Sequence, residues 1–186
     1  EGGSWWGRKV GAQWHGPEAI KLAVEDGVTM IEHGSLVDDE GICMMLEKGV
    51  WLVSDVYDDD YILSEYAKKG YPEKIINKER SLGKLQRENF NKAVKAGVKI
   101  AFGTDAGVYP HGRNAKQFYY MVKYGLTPMQ AIQSATISAA DLLDYKDKTG
   151  SLTAGKFADI IAVDGNPLDD ITLLEQVKLV MKDGVV

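Results

Sequence analysis

The sequence predicts an α/β fold built on a parallel sheet, and three observations predict it. Short β-branched and aromatic runs recur as Arg8 to Trp14, Val28 to Glu32, Val50 to Val56 and Val98 to Phe102. A helical stretch follows each run, and roughly twenty residues separate the first three strands, the spacing of a compact βα repeat. Strands that alternate with helices lie parallel, because right-handed crossovers bring each one back to the same sheet.

Each unit has its own start and stop signals. Gly16-Pro17 opens a helix whose apolar stripe is Ala19, Ile20, Ala23 and Val24, and Gly27 ends it. Asp38 or Asp39 starts the next, through Ile42, Met45 and Leu46 to Gly49. After the third strand, Asp58-Asp59-Asp60 reads as a solvated, helix-starting charge run, since it lacks the alternating ligands and terminal glutamate of an EF-hand calcium loop. A long polar helix is expected from about Glu73 to Ala96, another from Asn114 to Lys123, and a third from Thr127-Pro128 onward with Ala131, Ile132, Ala135, Ala139 and Leu142 on its buried face. The tail changes character: Ala158 to Asp164 and Val177 to Met181 are strands with turns around them and no following helix, a separate small β layer. Residues 1–7 form a Gly-rich lead-in in which the adjacent Trp5 and Trp6 follow no periodicity.

Composition bounds the function. The chain has 186 residues, is 45% hydrophobic and carries a formal net charge of −5, which suits one domain with a real core. Basic residues are scattered among acidic ones, so there is no footprint for nucleic acid or an anionic membrane. No apolar run is long enough to span a bilayer, and Glu1-Gly2-Gly3-Ser4 does not read as a leader. The single cysteine, Cys43, cannot form an internal disulfide and falls on an apolar helix face, where a buried thiol is expected; a cytoplasmic compartment follows as the default.

The chemistry concentrates at strand ends. Of the three histidines, His15 follows the first strand and His33 the second, while Asp105 follows the fourth between Gly103 and Gly107. The C-terminal edge of a parallel sheet is where ligands converge. Two imidazoles and a carboxylate suit zinc, which lowers the pKa of a bound water toward ~7, although the same donors suit several other metals. A free Asp105 would take that water's proton and pass it to a leaving nitrogen. The structural alternatives are that Asp105 caps the next helix and that the histidines are hydrogen-bonded filler; there is no His-x-His pair in the chain.

Several motifs together resemble the metal-dependent amidohydrolases, and within them the imidazolonepropionase and Xaa-dipeptidase, prolidase-like, branch. They are Ile31-Glu32-His33-Gly34-Ser35, Phe102-Gly103-Thr104-Asp105-Ala106-Gly107, Thr127-Pro128-Met129-Gln130-Ala131-Ile132, Ala139-Ala140-Asp141-Leu142-Leu143 and the run from Gly150 to Ile161. The resemblance implies half of a (β/α)8 TIM-type barrel, its last four βα units, over residues 8–147, plus a short C-terminal β segment of a small β-sandwich over residues 148–186. It implies zinc at the barrel mouth and hydrolysis of amide-type C–N bonds in amides or dipeptides. His33 matches the sixth-strand metal ligand and Asp105 the eighth-strand aspartate that binds metal and handles the proton. His15 is the remaining candidate ligand, and His111 and Tyr57 are the residues expected to meet substrate.

The departures from the family pattern cluster at the mouth. Where the family reads Ala-His-Ala-His-Gly, this chain reads Ala12-Gln13-Trp14-His15-Gly16, so that a glutamine stands at a ligand position and zinc binding is put in doubt. Ser54-Asp55-Val56-Tyr57 is also unusual for the group. The family's first-strand His-x-His and fourth-strand carboxylated lysine belong to a half of the barrel that these residues do not include. The expectation is therefore an amidohydrolase fragment, inactive or impaired alone. Its open sheet edges would be met by a second copy or by a missing N-terminal half-barrel. The alternative is an engineered, non-catalytic half-barrel scaffold that self-associates, with Trp14 and Trp51 serving packing or association.

Overall fold

The computed structural model describes residues 7–186; Trp5, Trp6 and the rest of residues 1–6 lie outside the described residues. Four strands, β1 (Gly11–Trp14), β2 (Met30–His33), β3 (Trp51–Ser54) and β4 (Lys99–Phe102), form one sheet in the order β1-β2-β3-β4. Every pairing in it is parallel. The helices between them are α1 (Pro17–Glu25), α2 (Asp39–Lys48), α3 (Asp58–Tyr61), which continues as a π-helical turn over Ile62–Tyr66, and α4 (Glu73–Ala96). After β4 come α5 (Lys116–Lys123), α6 (Pro128–Ser134) and α7 (Ile137–Leu142), then an antiparallel pair, β5 (Ile160–Ala162) and β6 (Leu179–Met181).

The register assigns each row of side chains to one face. Ala12, Ile31, Leu52 and Ile100 lie side by side and pack outward with Ile20, Val24, Met45, Phe90 and Met121 of the helices as the main core. Gln13, Glu32, Val53 and Ala101 form the adjacent row on the opposite face, where Trp51, Val53, Ala101 and Leu142 make a second, smaller cluster. Alternation of this kind turns one face toward the helices and runs the other, inner row up to the strands' C-terminal ends. Each large side chain buried in the outer layer contributes roughly 1.5–3 kcal/mol.

The local signals hold where they rest on caps. Asp38 caps α2 by accepting from the Gly41 N–H at 2.8 Å, and Gly49 closes that helix in the left-handed conformation. Thr127 and Gln130 form a reciprocal capping box at α6. The helix expected to run on from Thr127 is instead two: Thr136 leaves the helical region at φ −124°, ψ −92°, and its hydroxyl turns back to the Ile132 carbonyl at 2.8 Å. Ala131, Ala140 and Leu142 are buried, whereas Ala139 is half-buried.

Two expectations are corrected. Cys43 is exposed, because Ile42 and Met45 carry the buried stripe of α2 and Cys43 lies with Leu46 and Glu47 on the outward side. The triple aspartate is not solvated: it starts α3, but Asp58 and Asp59 are only 5% and 2% exposed. Asp59 reaches across to Arg87 of α4 at 2.8 Å, and the space it fills exists because Gly83 has no side chain; a Cβ there would sit 2.5 Å from the Asp59 carboxyl carbon. Trp51 is buried, whereas Trp14 is about half exposed on the edge strand.

Candidate metal centre

The strands' C-terminal ends converge on a cleft of about 250 Å³ lined by Gln13, Glu32, His33, Asp55, Thr104 and Asp105. His33, Asp55 and Asp105 each offer a ligand atom, and these atoms lie within 4.8 Å of one another. Three different strands supply them: His33 is the last residue of β2, Asp55 follows β3, and Asp105 lies three residues past β4. His33 and Asp105 both leave their strands in the left-handed region, at φ 63° and 42°, which turns the chain sharply at the sheet's edge.

His33 is the centre of the polar network. Its Nδ1 lies 2.9 Å from Asp55 Oδ1 and its Nε2 2.9 Å from the Gln13 amide nitrogen. An ionised carboxylate only accepts, so Nδ1 carries the hydrogen and Nε2 presents its lone pair, which the Gln13 N–H fills. The hydrogen bond to Asp55 raises the His33 pKa above the usual histidine value, against the opposing effect of burial. Burial pushes the Asp55 carboxyl upward, but the bond and charge of His33 outweigh it and the net shift is down. Glu32 is raised by burial and by the nearby Asp55 and Asp105. Behind the cleft, burial and the Asp55 charge push Asp58 up to about 10, and its Oδ1 has no hydrogen-bond partner among the described residues.

The residues predicted from sequence are placed as follows. His33 and Asp105 come together, the first buried and the second exposed toward the cleft. His15 stands outside that group: its ring stacks on His33 at 4.6 Å between centroids and its Nδ1 meets Ser35 Oγ at 2.9 Å, while burial followed by the His33 charge lowers its pKa. His111 is exposed in the loop after β4. Tyr57 is buried with Tyr109 and Tyr120, at ring separations of 4.7 and 5.2 Å, and its backbone N–H donates to Gln117 Oε1. Neither His111 nor Tyr57 is among the residues lining the cleft.

Sequence reasoning did not select Asp55, although its signal was present. Ser54-Asp55 is a carboxylate at a strand's end, the same feature that singled out Asp105.

The donor set fits a metal ion. One imidazole nitrogen and two carboxylate oxygens are ordinary zinc ligands, and a modest closing of the 4.8 Å spread brings them toward the edge of a tetrahedron, about 3.4 Å for bonds of 2.0–2.1 Å. Four parallel strands with such a group at their C-terminal edge have the arrangement of part of a barrel enzyme's active-site face. The chain belongs to the amidohydrolase family, whose model matches residues 7–186. Members of this family usually bind metal.

Its relatives share the architecture. A Xaa-Pro dipeptidase crystallised with methionine in its active site is 45% identical, with a TM-score of 0.91 over 98% of this chain and 45% of that one. Ochratoxinase of Aspergillus niger is 34% identical over 175 residues, which is 93% of this chain and 36% of the relative. Its crystal structure superposes with a TM-score of 0.84. Imidazolonepropionase of Fusobacterium nucleatum is 26% identical over 78% of this chain. The chain thus spans less than half the length of the relatives it matches, and its sheet corresponds to half of their barrel.

Proposed function

We propose that this chain is the part of a zinc-dependent amidohydrolase that carries the His33 and Asp105 ligands, acting on amide-type C–N bonds of small amides or dipeptides once a further four βα units complete the barrel. The observation that carries this reading is the convergence of His33, Asp55 and Asp105 at the C-terminal edge of a parallel sheet. The similarity to a Xaa-Pro dipeptidase at 45% identity supports the dipeptide class.

His33 offers Nε2 toward the cleft once the Gln13 amide turns aside. Asp105, exposed at the cleft's rim, would help hold the metal through its carboxylate and is placed to accept a proton from water and deliver it to the leaving nitrogen. Bound zinc supplies Lewis acidity for the scissile carbonyl and a more acidic water. Glu32, Asp55 and Asp105 bring three carboxyl groups to the cleft, a lining that suits a divalent cation. The edges of β1 and β4, unpaired among the described residues, are where the completing half joins, and the 45% coverage of the dipeptidase leaves room for an N-terminal half of that size.

Zinc titration of the purified chain, read by native mass spectrometry, tests this. One zinc per chain is expected, lost in His33→Ala and Asp105→Ala. Gln13→His, which puts an imidazole beside His33 Nε2, should tighten binding by about tenfold or more, since even outer partners of a ligand are worth about 10–100-fold. Zinc held equally well by His33→Ala would sink the proposal.

A further inference from the structure

Asp55 is one of the three groups that could ligate a metal, yet its surroundings fit another role. The oxygen that faces His33 Nδ1 at 2.9 Å also accepts from Gln86 Nε2 at 3.1 Å. Gln86 comes from the middle of α4, 31 residues further along the chain. On that helix the buried residues are Ile76, Gly83, Gln86, Phe90 and Ala93, so Gln86 places a carboxamide on the inward stripe. An amide buried there costs free energy unless it is paired, and an apolar residue of the same size would pack without that cost. The helix that delivers it is fixed in turn: Gly83, one turn earlier, seats Asp59, and Arg87, the next residue, pairs with that aspartate at 2.8 Å.

The geometry points to Asp55, clamped by Gln86, as a positioning residue: it holds the His33 ring in the Nδ1–H tautomer and aims Nε2 into the cleft. Both donors share Oδ1, which holds that oxygen on His33 and Gln86 and gives Asp55 an orienting role, while Oδ2 is the oxygen it can offer to the cleft. Outer carboxylates of this kind fix the tautomer of a ligand imidazole and increase its basicity. The inference rests on the reading that His33 Nε2 is a ligand atom, but the tautomer it assigns is a property of the metal-free chain.

The test separates the two. Long-range ¹H–¹⁵N spectra of the histidine rings at alkaline pH, where His33 is neutral, should show the Nδ1–H tautomer in the wild type. In Asp55→Asn, whose carboxamide donates as readily as it accepts, that single tautomer should be lost and zinc affinity should fall about 10–100-fold. Gln86→Met keeps the volume and removes the clamp; it should broaden the His33 signals and weaken zinc several-fold while circular dichroism stays unchanged. Loss of the tautomer in Asp55→Asn, together with a wild-type chain that shows the tautomer but binds no zinc, would uphold the clamp and overturn the metal reading. Wild-type tautomer and wild-type zinc affinity in both variants would overturn the clamp and leave the metal reading standing.

Discussion

Strands β3 and β1 belong to the same sheet and are equally short, but all four residues of β3 are buried and none of β1 is. β3 has a hydrogen-bonded neighbour on either side, a helical layer on one face and the Trp51–Leu142 cluster on the other. Among the described residues β1 has one neighbour, and beside it Val10, Ala12, Trp14, Leu22 and Val28 line an open apolar groove of about 320 Å³. Sheet position, more than residue type, therefore decides what each side chain contributes. The interior strand holds the fold, and the edge strand exposes surface that suits a neighbour.

The comparison can be broken most directly at Leu52, which is 1% exposed. Leu52→Ala should lower unfolding free energy by about 2–5 kcal/mol in denaturant titrations. A loss below about 1 kcal/mol would mean that β3 is no better packed than the edge.

The start of α3, just past β3, gives a smaller, pH-dependent effect. Folded Asp58 keeps its proton up to about pH 10, whereas the unfolded chain releases it at the ordinary carboxylate value. Between those values the folded state binds more protons, so stability falls as pH rises. Asp58→Asn cannot ionise and should remove this slope, with a gain over wild type that grows from pH 5 to 9 to the order of 1–3 kcal/mol. A gain that shrinks with pH would show that Asp58 is ionised in the fold.

The smallest effect belongs to the edge. Trp14→Ala should change the stability of the chain alone by no more than about 0.5 kcal/mol, as at other exposed positions. A larger thermal shift would reveal that β1 is already covered in solution.

The same contrast governs how much could be read from sequence. Features set by neighbours along the chain were legible: α4 runs from Glu73 to Ala96 as its long polar stretch indicates, and Asp38 and Thr127 cap their helices. The parallel order followed from alternation, and His33 and Asp105 could be picked out because one ends a strand and the other follows one closely. What failed depended on partners far away in sequence. Asp59 is buried because Gly83 and Arg87 stand opposite it, and a run of three carboxylates gives no hint of them. Asp55 became visible only when β3 placed it beside His33 and α4 brought Gln86 onto it. Cys43 lies one residue from the buried Ile42, and only the packed helix settles which of two adjacent faces turns inward.

The left-handed backbone at His33 and Asp105 has a consequence for how this sequence can change. Glycine accepts φ values of 63° and 42° without penalty, whereas a side chain there costs on the order of 1 kcal/mol. At the exposed Asp105, selection for thermal tolerance alone would thus favour glycine, a step that erases a donor from the cleft, whereas at the buried His33 the same step would also strip Asp55 of its partner. The backbone at Asp105 sets durability against chemistry, and a lineage with no use for that donor would be expected to shed the side chain early.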